Sequence, residues 1–255
     1  MKISQLAALA TTFITMCPLA STPAHAGSTT SPSIPVGSLS TSQSIVRAGS
    51  NTSLSWNITY PSVVKDYITV ITPSTIIPKQ SLFVDVRVLG AGVTAGSSGS
   101  SSFTYVPTEA LMSYNSTSTS SYKRIFYGTN LVVNPNSILP TSTILTSSQV
   151  AANTPLRFGG RYYYNGSWGQ LYTSSDGTDN VRTLVNGDVP PSNVPAYNAP
   201  SLESFLKPYL DSTGRVQIGP MDVIVFMELT HSASQKSDPG YDLQDMVLLV
   251  TFRTN

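Results

Sequence analysis

The residues best suited to chemistry in this chain are aromatic rather than ionisable. Arg161-Tyr162-Tyr163-Tyr164 runs into Asn165-Gly166 and out through Ser167-Trp168. Asn-Gly between two such segments signals a tight hairpin, because both central residues of a type I′ turn need positive φ. Alternation along the strands must then send some of these rings outward. An exposed ring with amides beside it can stack on the apolar face of a sugar. Tyr162, Tyr164 and Trp168 are therefore the candidate ligand-binding residues, and a polysaccharide or cell-surface glycan is the candidate partner. The plainer explanation is packing, since tyrosine fills a pleated surface well.

Oxygen ligands come next. Asp176, Asp179 and Asn180 cluster in a Gly-containing turn, as do Asp238, Asp242 and Asp245. Calcium takes about six to eight oxygens, and loops of this type supply several of them. Asp176, Asp179 and Asn180 are the candidate calcium ligands. Against this, Asp, Asn and Gly make turns without any metal, and neither cluster has EF-hand spacing.

Enzyme chemistry finds little to use. The histidines are His25 and His231, and the sole cysteine is Cys17. Residues 17 and 25 fall in a stretch read below as a cleaved signal, which excludes multi-histidine and thiolate metal sites from the remainder. A Ser-His-Asp triad would need His231, and no Gly-x-Ser-x-Gly elbow supplies its partner. Gly90 to Gly96 has the wrong spacing for a dinucleotide loop. Asp222 and Glu228 share a strand face, but six residues of strand separate them by about 20 Å, too far for glycoside hydrolysis. No catalytic residue is assigned.

The elements that must position these residues are strands. Leu54, Trp56, Ile58 and Tyr60 alternate with polar residues, and Leu82, Val84, Val86 and Val88 repeat the pattern. Trp56 is expected in the core, and Asp85 with Arg87 as a same-face ion pair. Tyr67 to Ile71, Phe103 to Val106 and Tyr122 to Tyr127 are shorter candidates. Met221 to Leu229 and Met246 to Phe252 are apolar on both faces, as strands in mid-sheet are. Asp176-Gly177 and Asn186-Gly187 mark turns, while Gly92 to Ser102 and Ser113 to Ser121 read as loops. Val70 to Pro78 lines up with Val132 to Pro140, as two equivalent strand crossings would. Ser201 is a candidate N-cap for Leu202, Phe205, Leu206, Tyr209 and Leu210, with Pro208 ending the helix early.

The N-terminus predicts export. Lys2, the apolar Leu6 to Leu19 and Ala24-His25-Ala26 have the order of a signal peptide. Cleavage after Ala26 would leave 13 basic and 13 acidic residues, where the whole chain has a net charge of +1. That balance gives no long-range attraction to nucleic acid or anionic membranes. Hydrophobic content of 40% argues against disorder. No later stretch is long and apolar enough to anchor in a bilayer.

The expected organisation is a signal peptide over 1–26, a flexible Ser/Thr/Pro-rich leader over 27–43 and a single domain over 44–255. The expected fold is all-β, an antiparallel β-sandwich of jelly-roll or immunoglobulin-like type, with one short amphipathic helix near 201–211. The first functional reading is a secreted, non-catalytic, carbohydrate-binding module that is periplasmic, cell-surface or extracellular. The alternative is a structural or adhesive surface protein, and a secreted hydrolase comes third.

Overall fold

The computed structural model describes residues 63–96, 103–191, 207–238 and 240–254, together with the backbone of two strands at 36–42 and 53–59. The segment 1–26 expected as a signal peptide, most of the expected leader, the Trp56 side chain and residues 201–206 lie outside the described residues.

Strands β1 (Val36–Ser42) and β2 (Ser53–Thr59) pair as a hairpin. One helical turn at Val64–Tyr67 leads into a second hairpin, β3 (Ile68–Ile71) and β4 (Thr75–Pro78). Then come β5 (Leu82–Gly90) and a small ladder of β6 (Thr94–Gly96) with β7 (Phe103–Tyr105). β8 (Thr108–Tyr114), β9 (Lys123–Gly128), β10 (Gln149–Val150) and β11 (Leu156–Tyr164) follow. The chain closes with β12 (Ser167–Trp168), β13 (Tyr172–Thr173), β14 (Val181–Val185), β15 (Asp222–Met227) and β16 (Met246–Arg253).

Two larger sheets carry the fold, and the ladders between named strands are all antiparallel. One has the order β10-β5-β16-β15-β14. The other runs β3-β4-β11-β8-β9, with β12 and β13 also pairing onto β11. Val84, Val86, Val223, Val225, Leu248 and Val250 of the first sheet share a core with Ile76, Ala110, Met112, Leu156 and Phe158 of the second. Full burial of one such side chain stabilises by roughly 1.5–3 kcal/mol. This is the all-β, antiparallel architecture that the alternation implied.

The doubly apolar segments occupy mid-sheet, as expected. β15 and β16 turn Val225 and Leu248 to the shared core, while Ile224, Phe226 and Val247 face a second cluster with Leu210, Val216, Ile218 and Tyr241. Sheet neighbours and apolar cover on both faces leave these strands no wet side.

Five local expectations change, the first being that β6 (Thr94–Gly96) lies inside the stretch Gly92 to Ser102 expected as a loop. Asp85 and Arg87 do not pair: Arg253 on β16 grips Asp85 through two contacts of 3.0 Å, and Arg87 donates to Thr251 Oγ1 at 3.3 Å. Both contacts run diagonally across the β5–β16 ladder, where Thr251 lies opposite Asp85 and Phe83 opposite Arg253, a separation that long arginine side chains span. The two similar segments are not equivalent crossings, because Val70 to Pro78 spans the β3–β4 hairpin while Val132 to Pro140 is irregular. Ser113 belongs to a strand, β8, and only the residues after Tyr114 form the expected loop. Within the described part of 201–211, Lys207–Tyr209 is one 3-10 turn, after which Leu210 bridges Val216. Pro208 lacks an N–H, which suits a turn better than a continued helix.

Candidate functional site

The aromatic segment folds as its turn chemistry dictates. Asn165 and Gly166 take φ of 49° and 81°, and Tyr163 pairs with Trp168 across the hairpin. Parity along β11 then sorts the rings. Leu156 and Phe158 point to the shared core, and Tyr162 packs against it, with Tyr164 next on that side. A Cβ at residue 169 would overlap the Tyr162 ring, so Gly169 lets the chain pass closely over it. Tyr163 and Trp168 stand on the other face. The structure thus separates Tyr162 and Tyr164 from Trp168, and gives Trp168 different companions.

Those companions come from β8, β9 and β11. Arg161 lies opposite Glu109, and Glu109 opposite Tyr127, so the three form a row across the sheet. Arg124 joins the same face through a register shift. Phe126 pairs with Ala110 and Arg124 with Leu111, leaving Ile125 as an extra residue, buried in the core. Without this bulge, simple alternation from Tyr127 would turn Arg124 inward; re-aiming a side chain is what bulges do.

Glu109 is 1% exposed and is held by both cations. Arg161 Nε donates to its Oε1 at 2.6 Å, and Arg124 Nε to its Oε2 at 2.5 Å. The guanidiniums also lie over rings: Arg161 is 4.4 Å from the Trp168 centroid, and Arg124 is 5.0 Å from Tyr127 and 5.6 Å from Trp168. Tyr163 and Tyr127 meet Trp168 at 5.0 and 5.9 Å between centroids. One buried carboxylate therefore fixes two cations, and the cations fix the rings. Tyr127 remains 48% exposed and Tyr164 47%.

A second carboxylate centre closes the other sheet. Glu228, just past β15, is fully buried. Its Oε1 accepts from the Thr230 and His231 amides at 3.0 and 2.9 Å and from Thr230 Oγ1 at 2.7 Å; Oε2 accepts from the Asp242 amide at 3.0 Å. Asp245 Oδ2 accepts from the Leu229 and Thr230 amides at 2.7 and 3.0 Å. Burial first, and then the neighbouring Glu228 and Asp242 charges, push the Asp245 carboxyl well above its ordinary range. His231 belongs to this centre rather than to a triad. Its Nδ1 is 2.8 Å from Thr230 Oγ1 and 3.3 Å from Glu228 Oε1, and its Nε2 is 3.7 Å from Asp238.

The candidate calcium ligands point to different partners. Asp176 accepts from the Thr173 and Thr178 amides at 2.7 and 2.9 Å, a turn-closing arrangement. Asp179 pairs with Arg182 and Lys236, and the Lys236 hydrogen bond, ahead of the Arg182 charge, holds its carboxyl below the usual range. Asn180 donates to the carbonyls of Glu228 and His231 at 3.0 and 2.7 Å. Among the described residues, no group of three or more His, Cys, Asp or Glu side chains is placed to hold a metal. A pocket of about 470 Å³ opens beside β3 and β14, lined by Lys65, Thr72, Pro73, Arg182, Asp188 and Val189. It lies at the sheet edge opposite β9, away from the rings.

Comparison with known proteins finds no matching family, curated protein or solved structure. No helix among the described residues is long and apolar enough to cross a membrane. The arrangement therefore has to be read from its own chemistry. Sequence reasoning missed Glu109, Arg124, Tyr127, Arg161 and Tyr163. One signal was available: between Asp85 and Asp176 the chain carries five basic residues and a single acid, Glu109. An acid so outnumbered is a natural hub for arginines.

Proposed function

We propose that this protein is an exported, non-catalytic binding module and that its ligand is a glycan held at the Tyr127–Trp168 cluster. One observation carries the reading: Tyr127, Tyr163 and Trp168 gather on the face turned away from the core, partly open to solvent. Exposed apolar clusters of this kind mark interaction surfaces. Rings mounted on strands and pinned by guanidiniums lose little freedom when a ligand docks, which favours affinity. Export rests on Lys2, the apolar Leu6 to Leu19 and Ala24-His25-Ala26. The buried acids fit the non-catalytic reading, since Glu228 spends its oxygens on loop amides.

The test is a glycan-array and insoluble-polysaccharide binding screen with the wild type, Trp168→Ala and Tyr127→Ala, each checked for folding by circular dichroism. We expect each ring deletion to weaken binding by about tenfold or more. A folded wild type that binds no glycan, or variants that bind as well as it does, would overturn the reading.

A further inference from the structure

We infer that the cluster selects anionic glycans, its guanidiniums taking the carboxylate or sulfate oxygens of an acidic sugar; this rests on the glycan-binding reading above. The first ground is charge. Two guanidiniums face one carboxylate, so the centre keeps a net positive charge after Glu109 is satisfied. The second is unused donor capacity. Each arginine spends its Nε–H on Glu109, and among the described residues no acceptor engages the Nη groups of either. Arg124 is half exposed and Arg161 about a third, so both are within reach of a ligand. A guanidinium whose Nε is anchored presents its remaining donors in fixed geometry, as oxyanion recognition requires.

The surroundings extend the same sign. Of the five basic residues between Asp85 and Asp176, Arg124, Arg157 and Arg161 lie on this side of β9 and β11, whereas Lys123 pairs with core-facing Met112 and has the opposite parity. Arg157 shares the strand face of Arg161, about 13 Å along. From Asp176 to the end, ten acids face five basic residues. Charge is therefore segregated along a chain whose total is nearly neutral, and the positive part contains the rings.

Arg161 lies over Trp168 and Arg124 over Tyr127. Those stacked guanidiniums are themselves the ligand-facing groups. A neutral sugar would meet the same cations and leave their donors without an oxyanion.

The experiment is affinity electrophoresis of the folded protein against matched pairs. Polygalacturonate is compared with its methyl ester, dextran sulfate with dextran, and a single-stranded oligodeoxynucleotide serves as the phosphate polyanion, each at low and high salt. We expect the acidic member of at least one pair to bind about tenfold or more tighter than its neutral partner, with affinity falling as salt rises. The pair that responds tells carboxylate from sulfate. Arg124→Gln should lose most of the preference and Arg124→Lys keep part of it, both with unchanged circular dichroism. Equal binding of the charged and neutral members overturns the inference and spares the glycan reading. Full affinity in Arg124→Gln also overturns it, as does binding the oligodeoxynucleotide as tightly as either acidic glycan. Absence of binding to every glycan overturns both.

Discussion

Two glutamates, one in each large sheet, are almost completely buried, and they are satisfied in opposite ways. Glu109 lies in mid-strand on β8 and is neutralised by side chains, the arginines of the two flanking strands. Glu228 lies at a strand end and is satisfied mainly by backbone amides of the loop joining β15 to β16, with a second acid beside it in place of a cation. The first arrangement leaves surplus positive charge and rings facing solvent. The second faces inward and ties down a connection. Burial of a carboxylate alone thus says nothing about function; the nature of its partners does.

Removing each carboxylate should expose that difference, with the largest effect at Glu228. Glu228→Ala leaves the amides of His231 and Asp242 without their carboxylate acceptor and removes one acceptor each from the Thr230 hydroxyl and the Thr230 amide, which keeps Asp245. We expect a loss of roughly 3–5 kcal/mol in urea unfolding, with an unchanged slope. Glu109→Gln keeps one acceptor oxygen for two guanidiniums, which can turn partly to water; we expect about 1–3 kcal/mol. A larger loss at Glu109 would reverse the contrast between the two centres.

The next effect is one of pH. The Asp245 carboxyl is raised in the folded state by burial and by Glu228 and Asp242. The folded protein therefore holds a proton that the unfolded chain releases at an ordinary carboxylate pKa of about 4. Its contribution is complete below that value and is lost as pH climbs toward the raised folded value, so stability falls as pH rises. Asp179, held low mainly by its Lys236 hydrogen bond, has the opposite sign and acts on the acid side. Urea midpoints from about pH 5 upward therefore lie clear of Asp179. Asp245→Asn, whose amide can donate toward Glu228 as a protonated acid would, should flatten the slope. An unchanged slope in that variant would show that Asp245 is not the source.

The sequence made these two centres unequally legible. The strands flanking Glu228 and Asp245 were recognisable, because Met221 to Leu229 and Met246 to Phe252 are apolar on both faces and could only lie in mid-sheet. β8 was not, since Thr108 to Tyr114 shows no alternation: one face meets the core and the other hides Glu109 under arginines and Leu111 against the sheet. The Asn165-Gly166 turn was plain, and so was the pairing it sets. The choice among Tyr162, Tyr163 and Tyr164 was not, because alternation fixes parity but not which parity faces the core. Arg124 was least accessible of all. Its direction depends on the extra residue at Ile125, and a bulge leaves no mark in an alternating pattern until the facing strand is known.

The smallest expected effect separates the centres by salt. Ion pairs from the partly exposed guanidiniums of Arg124 and Arg161 to Glu109 are screened, because the Debye length shrinks from about 10 Å at 0.1 M to about 3 Å at 1 M. Hydrogen bonds from loop amides to a fully buried carboxylate have no ion atmosphere beside them. The cost of Glu109→Gln, taken as the variant's difference from wild type at each salt concentration, should therefore fall by about half between 0.1 and 1 M sodium chloride. The cost of Glu228→Ala should move by less than about 0.5 kcal/mol. Using differences cancels the general effect of salt on folding, which acts on both proteins alike. If both costs fell together, Glu228 would have to be a solvent-coupled charge, and the contrast between the two glutamates would collapse. If only the Glu109 cost fell, the centre weakened by salt would be the one proposed to bind acidic glycans.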